Sequence, residues 1–440
     1  MAFAVIVQIF IVAFFGNLFV DYGLIPNYFT LLTEVLIYFL LCYALFLRSV
    51  KGLIVRLDLW QFYLAFILIA ASSAVFNGSL DLRFIVGIRP VLRFYIFYLA
   101  VINLIWDEAQ FNKVNRLLYV LFLLQLPASA LRFCYYGVSE LTIGTYAGHG
   151  GGITPVIPIV ALGFLSGFYI FWKRKPVFII LGIGFILFGI AGAKRVLFFL
   201  YPITFFGIYY LGLVIGKKTS FLRKASVLCF ALIGVLVSQF LMMKTIVSLN
   251  PERKAGGSAS YEYVLDYARK YESKKDQHSG RAGGRFSTIE LTLNTLEEAG
   301  AGHLFFGFGP GVLTNSAIRS GGKIDMKLYP YLNSYGKTGM THLLMEYGFA
   351  GMLIFSYIFL VFVKRSFSWF KRETEVWWKA MAMGTVVFAT IQAYVYFLYN
   401  TTSLLGDTLV PVYFYVMALM FFRINLTRSL CFVNLGEKLE

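Results

Sequence analysis

The chain has 440 residues, of which 59% are hydrophobic, 18% are aromatic and only 14% are charged. Because soluble globular proteins carry about 25% charged residues, this composition excludes an ordinary soluble domain and indicates a chain whose solvent is mostly lipid. The formal net charge of +17 lies mostly in short segments between apolar runs, which is typical of oriented membrane proteins and unlike the basic face of a nucleic-acid-binding protein.

Apolar runs recur along the whole chain. A helix that crosses about 30 Å of hydrocarbon needs roughly 20 mostly apolar residues. The pattern predicts an all-α, polytopic membrane protein with about twelve transmembrane helices, at 2–20, 29–47, 59–76, 84–106, 116–134, 153–172, 176–192, 195–216, 226–248, 340–363, 379–399 and 406–424. The chain is then divided into helices 1–9 (1–248), one large loop domain with short helices (249–339), and helices 10–12 with a tail (340–440).

Lysine and arginine are distributed unevenly between the connections that these spans would create. Three connections on one side, 21–28, 135–152 and 400–405, carry no basic residue. Clusters of basic residues fall on the other side, at 48–56, 113–116, 173–175, 217–224 and 364–379. Because basic connections stay in the cytoplasm, both termini are predicted to be cytoplasmic and the loop 249–339 to lie on the outer face.

A few cations oppose this bias or lie at membrane depth. Lys194 and Arg195 fall at the outer tip of the hairpin between the seventh and eighth spans, and Arg89 and Arg93 lie inside the fourth. Such cations either snorkel to an interface or line a polar cavity with a partner. Since the spans contain few acidic residues, we expect a bound phosphate to compensate for some of these charges.

The loop 249–339 is too long to be only a connection. Its apolar periodicity predicts helices over Ser260–Lys275 and Arg285–Ala299. The glycines of the following segment, Gly307-Phe308-Gly309-Pro310-Gly311, force a turn and permit close backbone approach. The segment lacks the Gly-Lys-Ser/Thr ending of a nucleotide-binding loop.

The histidines and cysteines do not have metal-ligand spacing, so no metal site is predicted. His342 is nevertheless a candidate catalytic base, because Glu346 follows four residues later on the same helix face. A carboxylate in that position can orient an imidazole and raise its basicity. The alternative is a pair that simply satisfies itself at the start of a helix.

Four short motifs occur in a consistent order. They are Ala193-Lys194-Arg195, Gly284-Arg285, the Gly307–Gly311 turn, and Glu346 followed by Gly348 and Gly351. Together they resemble the O-antigen ligase and O-antigen polymerase superfamily of bacterial inner-membrane proteins. The resemblance is sharpest over 280–355 and elsewhere depends on the predicted topology. It implies a multi-pass protein of the bacterial inner membrane whose large loop is periplasmic.

The resemblance also implies an activity, namely glycosyl transfer that needs neither metal nor cofactor. The donor would be an oligosaccharide on undecaprenyl diphosphate, and the acceptor would be a sugar hydroxyl. His342, Glu346 and Arg285 would be catalytic, whereas the diphosphate would be bound by Lys194, Arg195, Arg281 and Arg89. Arginine forks suit phosphate geometry, and Arg281 competes with Arg285 for the role of the loop arginine. Flat faces for sugar rings would come from Tyr329, Tyr331 and Tyr335.

Three activities stay open at this point: those of a polymerase, of a ligase, and of a transporter or flippase. A polymerase would use a second lipid-linked unit as acceptor, with a chain-length regulator as partner, whereas a ligase would use lipid A–core. The position of His342 departs from the ligase-like pattern and favours the polymerase. A transporter or flippase of lipid-linked glycans also suits intramembrane arginines, but the two halves of the chain show no internal repeat.

Overall fold

The computed structural model describes residues 1–26, 31–106, 108–142, 144–145, 155–215, 221–272, 284–313, 338–399 and 409–436. Within these ranges the regular structure is helical and no strand is present. The helices are α1 (Ala2–Asp21), α2 (Leu32–Val50), α3 (Trp60–Phe76), α4 (Leu82–Asn103), α5 (Glu108–Leu123), α6 (Gln125–Tyr136), α7 (Val156–Gly167), α8 (Pro176–Ala191), α9 (Leu197–Tyr209), α10 (Phe221–Thr245), α11 (Tyr261–Glu272), α12 (Arg285–Glu298), α13 (Ala301–Phe306), α14 (Gly339–Arg372), α15 (Val376–Tyr394) and α16 (Leu409–Gly436).

The predicted spans all coincide with helices. Among the described residues, seven helices are long and apolar enough to cross a membrane, at Leu32–Val50, Leu82–Asn103, Ala109–Tyr136, Leu197–Ile215, Val227–Thr245, Gly339–Arg372 and Val376–Tyr399. Five further apolar helices are shorter, at Ala2–Gly16, Trp60–Phe76, Val156–Trp172, Pro176–Ala191 and Leu409–Asn425. The all-α class is therefore confirmed, and the long apolar helices are consistent with a multi-pass membrane protein, whereas the number of crossings stays a prediction.

The core of the bundle is formed by α7, α14 and α15, with α4 and α16 packed beside them. Small residues bring α7 and α15 into close contact. A Cβ atom added at Gly167 would lie 2.5 Å from the Ala380 carbonyl oxygen, and one at Gly384 would lie 2.2 Å from the Phe164 ring. Lipid tails are as apolar as leucine, so close packing of this kind is what favours helix association inside a bilayer.

Helix α14 is broken at Gly348, where φ is 63° and ψ is −167°. The glycine-rich turn that follows α13 packs against this break. A Cβ atom at Gly307 would lie 2.7 Å from backbone atoms of residues 346–348, and one at Gly348 would lie 2.2 Å from the Phe305 carbonyl oxygen. The glycines of both motifs are therefore explained by contact between two backbones.

Hydrogen bonds join the same turn to the end of α3, and close backbone packing joins it to α4. Ser73 Oγ donates to the Phe306 carbonyl oxygen at 2.5 Å, and Asn77 Nδ2 donates to the Gly307 carbonyl oxygen at 3.0 Å. Gly87 of α4 lies so close to the turn that an added Cβ atom would be 2.1 Å from the backbone nitrogen of Gly311. The short helices α12 and α13 are thus held against the bundle by buried backbone contacts.

The two helices predicted inside the long loop are present with shorter bounds. The prediction over Ser260–Lys275 corresponds to α11, which ends at Glu272 among the described residues, and the prediction over Arg285–Ala299 corresponds to α12. The residues between α11 and Gly284, which include Arg281, lie outside the described residues. So do Tyr329, Tyr331 and Tyr335.

The broken helix gives the first testable prediction. Gly348→Ala would place a side chain in a left-handed conformation and against the Phe305 carbonyl, so we expect it to destabilise the fold by at least about 2 kcal/mol. Thermal unfolding in detergent, followed by size-exclusion chromatography, measures this as a lower Tm. The matched control is Gly207→Ala in α9, where nothing lies within 4 Å of an added Cβ atom. Equal Tm values for both variants would contradict the packing account.

Candidate anion-binding site

The hairpin between α8 and α9 places two adjacent cations in different surroundings. Ala193 at its tip adopts a left-handed φ of 52°. The next side chain, Lys194, is only 3% exposed, and its ammonium nitrogen lies 3.3 Å from Glu140 Oε1, a carboxylate that is itself mostly exposed. Burial lowers the pKa of Lys194, although the neighbouring Glu140 carboxylate opposes this shift. The site therefore holds a buried cation whose partner is largely in solvent.

Arg195 is held by aromatic rings. Its Nη1 donates a hydrogen bond to the hydroxyl oxygen of Tyr267, and its guanidinium carbon lies 4.5 Å from the centre of the Tyr271 ring. These two tyrosines and Tyr263 stack along one face of α11, with ring centres 6.1 and 6.0 Å apart. Within the described residues Arg195 forms no ion pair, so the cation–π contacts orient the guanidinium without neutralising its charge.

A cavity of about 530 Å³ opens beside this arginine. Its polar lining contains Arg195, Arg253, Glu140 and Tyr267, together with the hydroxyls of Ser139 and Ser248. Two guanidinium groups face one carboxylate here, and that carboxylate already pairs with Lys194. The sum over these four charged groups is +2, which favours an anionic ligand. The volume is within the usual range for pockets that bind small molecules.

Arg285 begins α12 and is bound to the end of α11. Its backbone nitrogen donates to Glu272 Oε2 at 3.0 Å, and its Nη1 donates to Glu272 Oε1 at 2.5 Å. The Nε atom donates to the Tyr399 carbonyl oxygen at 3.1 Å, and the guanidinium carbon lies 4.4 Å from the centre of the Tyr399 ring. The Gly284-Arg285 motif has a local cause, since an added Cβ atom at Gly284 would lie 2.1 Å from the Glu272 carbonyl oxygen.

The last two turns of α11 therefore connect the predicted cations of two different motifs. Arg195 contacts Tyr267 and Tyr271, and Arg285 contacts Glu272. Arg195, Arg285 and Glu140 also all interact electrostatically with Tyr399. We call this group, comprising Lys194, Arg195, Arg253, Arg285, Glu140, Glu272, Tyr267, Tyr271 and Tyr399, the cation cluster.

Arg89 lies outside the cation cluster. It is one of two arginines on the apolar helix α4 that share a carboxylate on α2. Arg93 Nη1 lies 2.6 Å from Glu34 Oε1, and Arg89 Nε lies 3.4 Å from Glu34 Oε2. The expectation that a phosphate replaces a missing acidic partner is wrong for this pair. The partner of both arginines is Glu34, which lies 55 residues before Arg89 in the chain. The role of Arg89 in binding a diphosphate stays a prediction.

His342 and Glu346 lie next to each other but are enclosed. Both side chains are fully buried, with His342 Nε2 3.5 Å from Glu346 Oε2. The other carboxylate oxygen, Oε1, accepts a hydrogen bond of 2.8 Å from the backbone nitrogen of Leu313, just after the glycine-rich turn. The pair has the predicted geometry, but neither residue lines the cavity beside Arg195. Its catalytic role stays a prediction.

Several members of the cation cluster carry no motif in the sequence. Glu140 is an isolated charged residue in a loop, Arg253 lies between Glu252 and Lys254 in another, and Tyr399 ends an apolar helix. A weak signal was available for Tyr267 and Tyr271, because the i, i+4, i+8 spacing of Tyr263, Tyr267 and Tyr271 gives α11 an aromatic stripe.

Comparison with models of known protein families, with curated protein sequences and with solved structures gives no match for this chain. The family resemblance therefore rests on the four short motifs. Within the described ranges, no three His, Cys, Asp or Glu side chains lie close enough to hold a metal ion. The chemistry available at the cation cluster is that of fixed guanidinium and ammonium groups beside aromatic faces.

The buried ammonium group predicts a pH dependence of stability. The pKa of Lys194 is lower in the folded protein than its ordinary value of 10.5, so the charged ammonium group destabilises the folded state. The free energy of unfolding therefore rises as the pH rises from the lowered pKa to 10.5, and it falls as the pH falls through the same range. We therefore expect Lys194→Met to raise the Tm at pH 7, and this advantage over the wild type to shrink towards pH 10. The exposed Lys270→Met is the control, and a pH-independent difference for Lys194→Met would contradict the prediction.

Proposed function

We propose that this protein is a glycosyltransferase of the O-antigen polymerase type in a bacterial inner membrane. It would transfer an oligosaccharide from undecaprenyl diphosphate to a sugar hydroxyl at the periplasmic face. The observation that carries the proposal is the cation cluster, in which Arg195 and Arg285 both contact the last turns of α11. Arg195 also lines a cavity together with Arg253, whereas Arg285 does not line it. Both arginines belong to motifs on which the family resemblance rests.

The topology that we propose has twelve crossings, with both termini in the cytoplasm and α11, α12 and α13 in the periplasm. It is supported by the distribution of basic residues between alternate connections. It is also supported by the twelve apolar helical segments, seven long and five short, among the described residues. The cation cluster would then lie at the outer leaflet, where a diphosphate head group with a membrane-embedded tail is accessible.

The reaction that we propose breaks the bond between the anomeric carbon and the diphosphate oxygen, and the diphosphate leaves with the electron pair. Arg195, Arg285 and Lys194 would stabilise the negative charge that develops on that oxygen. Fixed donors are effective in this role because they need no reorganisation at the moment of reaction. Arg195 suits this role best, since tyrosine rings hold it in place and no carboxylate among the described residues forms an ion pair with it.

The acceptor hydroxyl forms the new bond to the anomeric carbon and loses its proton. We propose His342 as the group that receives this proton, with Glu346 stabilising the resulting imidazolium. The short distance between the two side chains supports this assignment. Because both are fully buried, the acceptor can reach His342 only after the segment around the glycine-rich turn moves.

Substitution of the two arginines tests the proposal. With a defined undecaprenyl-diphosphate-linked oligosaccharide in EDTA, we expect Arg285→Ala and Arg195→Gln to reduce polymer formation by about 10²–10³-fold, the usual effect of removing one such donor. Arg285→Lys keeps a positive charge beside Glu272 but loses the planar fork, so it should preserve the fold and still lose most activity.

Arg132→Gln is the matched control, because Arg132 lies at the same predicted face and donates to the Leu141 carbonyl oxygen at 3.0 Å. It should retain wild-type activity. Normal long-chain product from well-folded Arg285→Lys and Arg195→Gln proteins would refute the role of the cation cluster.

Analysis of the lipid-linked intermediates in a deletion strain identifies the acceptor. A polymerase deletion should leave products with a single repeat unit, which is the expected result. Long chains that stay on the undecaprenyl carrier would instead identify a ligase that uses lipid A–core. A labelled lipid-linked glycan that crosses the membrane of proteoliposomes without forming a new glycosidic bond would identify a flippase. Both the polymerase and the ligase assignment would then be wrong.

A further inference from the structure

Glu272, the last residue of α11, is bound through both of its carboxylate oxygens to a single residue. Its Oε1 accepts from Arg285 Nη1 at 2.5 Å, and its Oε2 accepts from the Arg285 backbone nitrogen at 3.0 Å. A guanidinium binds carboxylates and phosphates with the same planar geometry. The Glu272 carboxylate therefore occupies the position on Arg285 that a phosphate group of a ligand would need.

The ion pair is partly open to solvent. The side chains of Arg285 and Glu272 are 23% and 25% exposed. An ion from solution can therefore reach the guanidinium, and a displaced Glu272 carboxylate can be hydrated. Because ion pairs that are accessible to water contribute little to stability, the exchange of this carboxylate for another anion has a small free-energy cost.

Contacts that do not involve the Glu272 carboxylate keep Arg285 in place. Its Nε donates to the Tyr399 carbonyl oxygen at 3.1 Å, and the centre of the Tyr399 ring lies 4.4 Å from the guanidinium carbon. The backbones of α11 and α12 also meet at Gly284, where an added Cβ atom would lie 2.1 Å from the Glu272 carbonyl oxygen. Loss of the carboxylate alone therefore leaves the guanidinium oriented and the two helices in contact.

We propose that Glu272 is an exchangeable counter-ion, which neutralises Arg285 in the free protein and is displaced from it by the diphosphate of the ligand. The inference rests on the proposed function, in which Arg285 takes part in binding that diphosphate. The Glu272 side chain rotates into solvent when the ligand binds and returns when the ligand leaves. Its competition lowers the affinity of Arg285 for every diphosphate, whether donor or product.

This competition matters most for the product. In the proposed reaction the diphosphate leaves the anomeric carbon with the electron pair, so the product carries one more negative charge than the donor. Fixed cations attract the more negative species more strongly. The returning Glu272 carboxylate weakens that attraction and so favours release of the carrier after each transfer.

Carboxyl labelling of the full-length wild-type protein in phosphatidylcholine nanodiscs measures the exchange without a variant. Carbodiimide and glycine ethyl ester label accessible carboxylates, and mass spectrometry compares Glu272 with the exposed Glu262 of the same helix. Saturating inorganic diphosphate should raise the ratio of Glu272 to Glu262 labelling about threefold or more, since Glu272 loses its charge-assisted hydrogen bonds. A constant ratio while diphosphate binds overturns the proposal. The same rise in phosphatidylglycerol nanodiscs without diphosphate assigns the position to a lipid head group and overturns it as well.

Titration calorimetry with inorganic diphosphate tests the competition by its effect on affinity. Glu272→Gln should lower the Kd about tenfold, because the competing hydrogen bonds of a charged group are lost. Glu262→Gln is the matched control and should leave the Kd unchanged. Glu272→Asp keeps the charge but shortens the side chain by one methylene, so it should lose one of the two hydrogen bonds and lower the Kd about threefold. A wild-type Kd for Glu272→Asp indicates simple charge repulsion, and this result, or a wild-type Kd for Glu272→Gln, overturns the proposal.

The transfer assay separates this inference from the proposed function. Glu272→Gln should have a lower KM for the lipid-linked donor and should be inhibited more strongly by added inorganic diphosphate. Glycosyl transfer by a wild-type protein in which the labelling of Glu272 does not respond to diphosphate overturns the exchange alone. Displacement of Glu272 by diphosphate without any glycosyl transfer supports the exchange and overturns the enzyme assignment.

Discussion

The contact between the Gly307–Gly311 turn and the break of α14 at Gly348 determines where α12 and α13 lie on the bundle. Two backbones approach so closely there that a single Cβ atom at Gly307 or Gly348 would collide with main-chain atoms. The contact fixes α13, and with it α12, against the bundle, and α12 begins with Arg285. A short segment of close backbone packing thus positions a charged side chain at the far end of the adjoining helix.

The cations are held in ways that preserve their charge. Arg195 rests on tyrosine rings, and Lys194 is buried beside a carboxylate that is mostly exposed. Burying a charge in this manner is unfavourable until a counter-charge arrives. An anionic ligand at the cation cluster would remove that penalty, so the arrangement that weakens the free protein would strengthen the binding that we propose. Arg285 differs, because Glu272 already neutralises it, and an anion there has to compete with a carboxylate.

Composition and periodicity were sufficient to place the helices, since hydrophobic length is a local property of the chain. The same holds for α11 and α12, whose apolar spacing identified them within a few residues. The partners of the charges could not be predicted in this way. Glu34 meets Arg89 and Arg93 only because α2 packs on α4, and Tyr271 meets Arg195 only because α11 folds back over the α8–α9 hairpin. Such contacts depend on tertiary packing, which a single sequence does not reveal.

Glu346 connects the packing of the turn to the candidate base. One of its oxygens accepts from the Leu313 backbone and the other faces His342 at 3.5 Å. A movement that lifts this segment away from α14 would break the first hydrogen bond. The burial of His342 therefore depends on the same packing that places the Leu313 backbone against Glu346. One carboxylate thus contacts both elements, because one oxygen accepts from the backbone that follows the turn and the other lies beside the imidazole.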